Sequence, residues 1–499
     1  MCFYCCCSYL GHPFDSRRLI HSLESTPYGR QLQILLIDKP VNTDGNFPHL
    51  ENSEKLRFNA KTLSRFSDCW KMEKVPRSPV LRATPFICLL LLCLLYTVDF
   101  EFNVTRSDQW ENQTQLEATG FACDSKIHTD ICVSSKPVRI DTVTMKVYAP
   151  FSQGMPPANP TLHPYAIKND KALMNTTVTS VQILLGNITL SSPCQYTHNV
   201  TAVIFSFGGY AQNLFHEFNE VIIPLFLTSR HFQSRLHFIV TDFRSKVVAK
   251  YKKILFHLSS YEVINPALNR SMHCFPGAVV GLHYHDHLAI SNTTIPKGYS
   301  MLDFKQFLRE SYNLKKQDLS QMEKPVLVLI SRKKSRMFLN EDEILTMMRA
   351  LGFTVVVAKP GMMRHLNTVA EMLNACSVLV GAHGAGLTTA VFLPEGAVMV
   401  QVVGLGLEWF SDNYFGGPAR GMGLNYLEYK IEAEESSLVS FYGRDHPVIT
   451  DPASLYSQGY KVGRAMYLKR QNFNIDVVRF RMTLVNALGL LGRSAPLVS

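Results

Sequence analysis

The chain has 499 residues, 46% hydrophobic and 18% charged, so it holds enough apolar material for a large core and is not a disordered tail, a coiled coil or a polytopic membrane protein. Against 40 Asp and Glu stand 50 Lys and Arg, a net charge of +10 scattered in short groups, with no basic stripe of the kind nucleic acid requires.

Residues 1–79 read as a cytosolic tail. Cys2, Cys5, Cys6 and Cys7 suit palmitoylation beside a membrane, and Met72 offers an alternative start. Residues 80–98 are expected to form a signal-anchor transmembrane helix around the uncharged run 86–98. This run is short for a span and suits the thinner membranes of the early secretory pathway. Lys71, Lys74, Arg77 and Arg82 precede it while Asp99, Glu101, Asp108 and Glu111 follow, which places the N-terminus in the cytosol and the remainder in the lumen. A cleaved signal peptide is the competing reading. The N-x-Ser/Thr sequons at Asn103, Asn112, Asn175, Asn187, Asn199, Asn269 and Asn292 all lie beyond the run, in agreement with that placement.

Residues 99–139 are polar and weakly periodic, as in a luminal stem. Of the cysteines beyond the anchor, Cys123, Cys132, Cys194 and Cys274 allow three pairings into two disulfides; Cys376, inside an apolar periodic segment, is expected to stay a buried thiol. No zinc-like spacing occurs, and no metal site is expected.

From residue 140 short β-branched runs alternate with amphipathic stretches, the pattern of βαβ units and parallel sheets. Two α/β domains are expected, 140–310 and 311–499. In the first, residues 203–207 predict a strand ending at Gly208 and Gly209, residues 211–229 a helix and 236–241 the next strand. In the second, strands are predicted over 326–330, 354–357, 378–380 and 398–403, with helices over 341–351 and 369–376 capped at Asn340 and Thr368.

Three constellations carry chemistry. On the helix after Gly209, Asn213, His216, Glu217 and Glu220 share one arc at 100° per residue, a polar face just beyond the carboxyl end of a strand. His216 and Glu220 stand one turn apart, close enough to tune each other's proton affinity. The loop around Gly381, His383, Gly384, Ala385 and Gly386 opens a short helix and suits an anion, although it is neither a dinucleotide fingerprint nor a P-loop. Arg332 and Arg336 follow a strand end, where cations neutralise a diphosphate leaving group. A fourth run, His283-Tyr284-His285-Asp286-His287, would place three imidazoles on one strand face and make metal binding conceivable, but nothing nearby adds a further ligand. No D-x-D occurs, which disfavours a manganese-bridged nucleotide.

Taken in order, the stretches GGYAQNLFHEFNEVIIPLFLTSRHF (208–232), HCFPGAVVGLHYHD (273–286), LISRKKSRMFLNEDEI (329–344), MLNACSVLVGAHGAGLTTAVFLPEGAV (372–398) and LEWFSDNYFGGPARGMGLNYLEYKI (407–431) resemble glycosyltransferase family 61, in particular its plant branch of xylan xylosyl- and arabinosyltransferases. The resemblance implies a GT-B fold, two Rossmann-like domains facing across a cleft, in a type II Golgi membrane enzyme. It implies inverting transfer of a pentose from UDP-xylose or UDP-arabinofuranose to a xylan-type acceptor without a metal or other cofactor, and association with itself or with other Golgi glycosyltransferases. Residue by residue, Glu220 matches the general base, with Glu217 as the competing choice. His216 and Asn213 match the accompanying polar positions, Arg332 and Arg336 the basic strand end, and His383, Gly384, Ala385 and Gly386 the loop for the sugar nucleotide. Gly208, Gly209 and Trp409 fall on the acceptor side.

The chain departs from the family pattern at Lys246 and Val247, where paired tryptophans are common, at Thr389, and at Gly421 and Asn425. Those departures motivate a rival reading, a non-catalytic glycan- or UDP-sugar-binding partner of active relatives.

Overall fold

The computed structural model describes residues 113–495 apart from 127, 152–158, 187–190, 291–297, 316–318 and 320–323, together with the backbone of three strands near the start of the chain. Contacts divide the chain into residues 1–104 and 105–499. In the first unit β1 (Ile20–Thr26) pairs antiparallel with β2 (Gly29–Leu35), which pairs antiparallel with β3 (Lys55–Arg57). The anchor expected at 80–98 and the sequons Asn103, Asn112, Asn187 and Asn292 lie outside the described residues. Among the described residues no helix is long and apolar enough to cross a membrane. Asn175, Asn199 and Asn269 are exposed.

The second unit is a mixed α/β body whose described residues form three sheets. β4 (Phe121–Ser125) and β5 (Asp130–Ser134) make an antiparallel hairpin, and β6 (Val138–Asp141) pairs antiparallel with β7 (Lys146–Ala149). These strands correct the reading of 99–139 as a stem, because from residue 121 the chain is already built into sheets. β4 and β5 show no legible period, and the alternation of β6 and β7 runs over only four residues each.

With β8 (Thr161–Leu162), β9 (Val181–Leu185), β10 (Tyr196–Thr197) and β13 (Met272–Phe275), the first sheet has the order β10-β13-β6-β7-β9-β8. With β11 (Thr201–Phe205), β12 (Leu236–Val240) and β14 (Ala278–Val280), the second has the order β12-β11-β14-β5-β4. The third joins β15 (Val326–Ile330), β16 (Thr354–Ala358), β17 (Val378–Ala382), β18 (Val398–Val403) and β19 (Asn425–Lys430), all parallel, in the order β16-β15-β17-β18-β19. β17 and β18 are buried throughout, as expected for parallel strands covered on both faces, and that is why they read as unbroken apolar runs.

Helices cover these sheets. α1 (Lys171–Thr177) is capped by Asp170, α2 spans residues 214–229, and α3 (Met301–Tyr312) begins with a capping box of Ser300 and Asp303. α4 (Glu341–Ala350) has no side-chain cap. The expected cap Asn340 instead clips the C-terminal segment, accepting from Ile475 N and donating to Ile475 O. α5 (Leu366–Asn374) starts ahead of the expected Thr368.

The boundary expected at residues 310 and 311 falls inside α3. One apolar cluster joins the second and third sheets. Phe218 stands edge-on to Phe304 at 6.4 Å and to Phe392 at 6.1 Å, while the buried Lys305 ammonium donates to the Met422 carbonyl at 2.8 Å. Disulfides join Cys123 to Cys132 and Cys194 to Cys274, and Cys376 is a buried free thiol.

Beside Cys274, His198 stacks on His273 and meets His237 edge-on. His198 Nε2 lies 3.1 Å from His273 Nδ1, and its ring lies 4.3 Å from that of Phe275. Burial lowers the pKa of all three, that of His198 to about 4, and neighbouring imidazoles add to the effect at His198 and His237. The unfolded chain takes up these protons near about pH 6.5 and the folded chain only below it, so this stability is complete above that pH and is lost as the pH falls toward 4. The urea midpoint of the wild type should therefore drop between pH 7 and pH 5, and His198→Phe should drop less; equal drops would reject the account.

Candidate active site

Two topological switch points lie in this unit. From β11 the chain moves to β12 on one side and later to β14 on the other, and from β15 it moves to β16 on one side and to β17 on the other. Open α/β sheets bind ligands outside the carboxyl ends of such strand pairs. Residues 206–213 follow β11, Arg332 and Arg336 follow β15, and His383 to Gly386 follow β17.

On the β11 side, Gly208 and Gly209 are required by close approach. A Cβ at Gly208 would lie 2.0 Å from the Thr177 carbonyl, and one at Gly209, whose φ is +59, would lie 2.2 Å from the Tyr165 ring. Asn213 caps α2, accepting from Phe215 N at 3.0 Å. The following turn, Glu217–Ile222, is a π-helix in which Ile223 N–H reaches back to the Phe218 carbonyl. Pro224 has no N–H to give the Glu220 carbonyl and crowds it with its ring, which favours the widened turn.

The carboxylates of this polar face are turned inward. Glu217 accepts from Gln212 N at 3.1 Å, Lys250 Nζ at 2.5 Å and Tyr251 Oη at 2.6 Å. Glu220 is fully buried, with one oxygen taking the Tyr165 hydroxyl and the other the Nδ1 of His216. Burial first, and the adjacent carboxylates second, hold both phenols far above their ordinary pKa, so Tyr165 and Tyr251 stay protonated and donate. His216 alone of the three reaches the open side, with 29% of its side chain exposed. Its ring lies 4.6 Å from that of Tyr210, whose hydroxyl donates to Asp170 at 2.6 Å; that bond, with burial, raises the Tyr210 pKa to about 12.

The histidine-rich run is corrected. Residues 281–288 form a loop after β14 rather than a strand, because Gly281 adopts φ +99 with its α-carbon against the Asp130 carbonyl. His287 meets Tyr414 at 4.6 Å and Tyr284 bonds to His287 and Asn219, while His283 and His285 are kept neutral by burial, each with its pKa lowered to about 4.

On the β15 and β17 side, both guanidinium groups lie against Gly384. Its φ is +147, and a Cβ there would meet Arg336 Nη1 at 2.8 Å and Arg332 Nη1 at 3.0 Å. Arg336 Nη1 donates to the His383 carbonyl at 2.7 Å, and Arg332 Nε donates to the Ser335 carbonyl at 2.8 Å. Among the described residues neither pairs with a carboxylate, and Arg336 Nε is buried without a partner. Burial and then Arg332 and Arg464 push the Arg336 pKa down, the signature of crowded positive charge that an anion relieves. His383 is buried and accepts at Nδ1 from Gln401 at 2.9 Å and from Ser411 at 3.3 Å. Burial and the two arginines lower its pKa to about 3, so it is neutral with its proton on Nε2.

An aromatic bridge connects the two sides. Phe215, beside His216, lies 5.8 Å from Phe415, which lies 5.4 Å from His383. Tyr414 extends the row from Phe215 toward Trp409, whose side chain is exposed, at 6.1 Å.

The model of the family Glycosyltransferase 61 matches residues 196–400, which contain both switch points. Alpha-1,3-arabinosyltransferase XAT3 of Oryza sativa subsp. japonica is 39% identical over 66% of this chain and 57% of its own length, so the chain spans under two thirds of that relative. Beta-1,2-xylosyltransferase XYXT1 of the same plant is 38% identical over 66% of this chain and 72% of its own. Xylan glycosyltransferase MUCI21 of Arabidopsis thaliana is 30% identical over 82% of this chain and 87% of its own. The chain belongs to glycosyltransferase family 61.

In this family 61 chain the predicted residues His216, Glu217 and Glu220 gather around Tyr165 and Lys250, and Arg332, Arg336, His383 and Gly384 gather at the second switch point. Ala385 and Gly386 open the 3₁₀ stretch Ala385–Phe392, against which Leu214–His216 packs. Sequence reasoning missed Tyr165, Lys250, Tyr251 and Arg464, none of which belongs to a local pattern. Gly384→Ala should push both guanidinium groups aside and strain the backbone. Its affinity for UDP by calorimetry should fall at least about tenfold, a loss of about 1.4 kcal/mol, with the melting temperature nearly unchanged; unaltered affinity would remove Gly384 from the anion site.

Proposed function

We propose that the chain is a Golgi pentosyltransferase that moves xylose or arabinofuranose from its UDP-sugar to a xylan-type polysaccharide with inversion. The observation that carries this reading is the His216–Glu220 pair connected by Phe215 and Phe415 to an arginine cluster that lacks carboxylate partners among the described residues. The relatives named for xylan transfer supply the substrate class.

Glu220 is shut away from solvent, so we assign the proton to His216. Its Nδ1–H donates to Glu220, which leaves Nε2 with a lone pair on the open side. An acceptor hydroxyl there gives its proton to Nε2 as its oxygen attacks the anomeric carbon. The bond from that carbon to the diphosphate oxygen breaks, and UDP takes the electron pair. Glu220 stabilises the imidazolium, while Arg332 and Arg336 stabilise the charge growing on the diphosphate. These two cations supply at the leaving group the charge that other transferases draw from a metal. Glu217, held by three protein donors, fixes α2 and takes no proton.

The site stands between two doubly wound sheets, which supports a GT-B arrangement with the acceptor on the β11 side. Two disulfides and the exposed sequons Asn199 and Asn269 support a luminal placement behind a type II anchor.

His216→Ala should lower kcat by about 2 to 4 orders of magnitude with UDP affinity unchanged. Glu220→Gln should also be slow through loss of the tautomer, and the double variant should be no slower than the worse single one, as for residues acting as a unit. Near-normal transfer of labelled pentose by His216→Ala would reject the assignment.

A further inference from the structure

A second concave surface lies at the C-terminal end of α1. It is an open groove of about 960 Å³ walled by the C-terminal end of α1 and by the segment following β12, with Asn175, Thr176, Thr179, Phe243, Arg244 and Asn265 among its lining. It is continuous with the catalytic loop. Asp242 in its floor accepts from Ser206 Oγ at 2.5 Å, and Ser206 Oγ in turn accepts from Gly208 N at 2.7 Å. α1 spans the distance between the two sites, since Asp170 at its start holds Tyr210, which stacks on His216, while Thr177 at its end lies under Gly208 in the groove wall. Seven residues of helix cover about 10 Å. The groove therefore lies at one end of α1 and the Tyr210–His216 pair at the other, set apart by roughly that 10 Å length.

Its chemistry selects a class of ligand. Asp242 also accepts from Thr179 N at 3.0 Å, Thr179 Oγ1 at 2.7 Å and Thr241 Oγ1 at 3.0 Å, so its lone pairs are occupied and it shapes the floor instead of attracting a cation. What remains is a set of hydroxyls and amides, the half-buried ring of Phe243, and the Arg244 guanidinium, which pairs with no carboxylate among the described residues. Neutral donors and acceptors around one aromatic face suit an uncharged polyhydroxylated chain, and a fork of N–H groups suits neighbouring ring hydroxyls. One guanidinium is too little for a polyanion.

We propose that this groove is a remote subsite that holds neutral sugar units of the acceptor polysaccharide, away from the unit whose hydroxyl reacts at His216. The proposal rests on the transferase reading and adds to it a preference for long acceptors. Two variants of the full-length protein test it. Arg244→Ala removes the cationic donor, and Ser180→Trp fills the groove from an exposed position on its wall. With UDP-pentose and xylo-oligosaccharides of graded length, wild-type KM should fall as the acceptor lengthens. Both variants should raise KM for the long acceptors about tenfold, or about 1.4 kcal/mol, and leave kcat and the KM of the shortest acceptor unchanged. An equal rise at every length, or no rise, would overturn the proposal. Calorimetric titration of a long xylo-oligosaccharide without UDP-sugar reads the groove independently of turnover. Binding by the wild type that both variants weaken supports the subsite, and absent or unaltered binding overturns it. Failure of the transferase reading has a different appearance: no transfer to any acceptor, with binding of the long oligosaccharide retained.

Discussion

A carboxylate sealed from water organises this molecule. An unpaired buried charge costs several kcal/mol, so Glu220 is tolerable only while Tyr165 and His216 both donate to it. That requirement reaches outward through the chain. Gly209 is bare because the Tyr165 ring occupies the place of a Cβ, α2 carries a π turn where Pro224 withholds a hydrogen bond, and Glu217 one turn earlier is clamped by Lys250 and Tyr251. The bond that satisfies Glu220 also sets which nitrogen of His216 faces outward. Structural necessity and proton chemistry are served by one contact.

The second switch point follows the opposite logic. Arg332 and Arg336 are buried against Gly384 with no carboxylate partner among the described residues, an arrangement that the diphosphate of the proposed donor would relieve. The groups that receive charge are in place before it develops, which is where fixed dipoles and cations are most effective. His383 completes the wall as a neutral donor, because the same arginines oppose its protonation.

Much of this was legible in the sequence, and the misses have physical causes. β15 to β18 appeared as apolar runs because parallel strands are covered on both faces, and the constellations around His216, Arg332 and His383 fell where expected because each follows a strand end. β11 begins two residues before the predicted 203–207, since Thr201 and Ala202 pair with β12 while Ser206 turns away to bond Asp242. β4 and β5 do not alternate, β6 alternates over only four residues, and the histidine run alternates without being a strand. The open or inward sense of a helix face was not legible at all. It depends on Tyr165, Lys250 and Tyr251, brought in from 33 to 55 residues away by the sheet topology.

The aromatic cluster between the second and third sheets bears on how substrates enter. Burial of Phe218, Phe304 and Phe392 contributes roughly 2 to 3 kcal/mol apiece, and Lys305 fastens α3 to the Met422 carbonyl beside them. Prying the sheets apart would wet all three rings and break that tether, so the frame does not work as a clamshell.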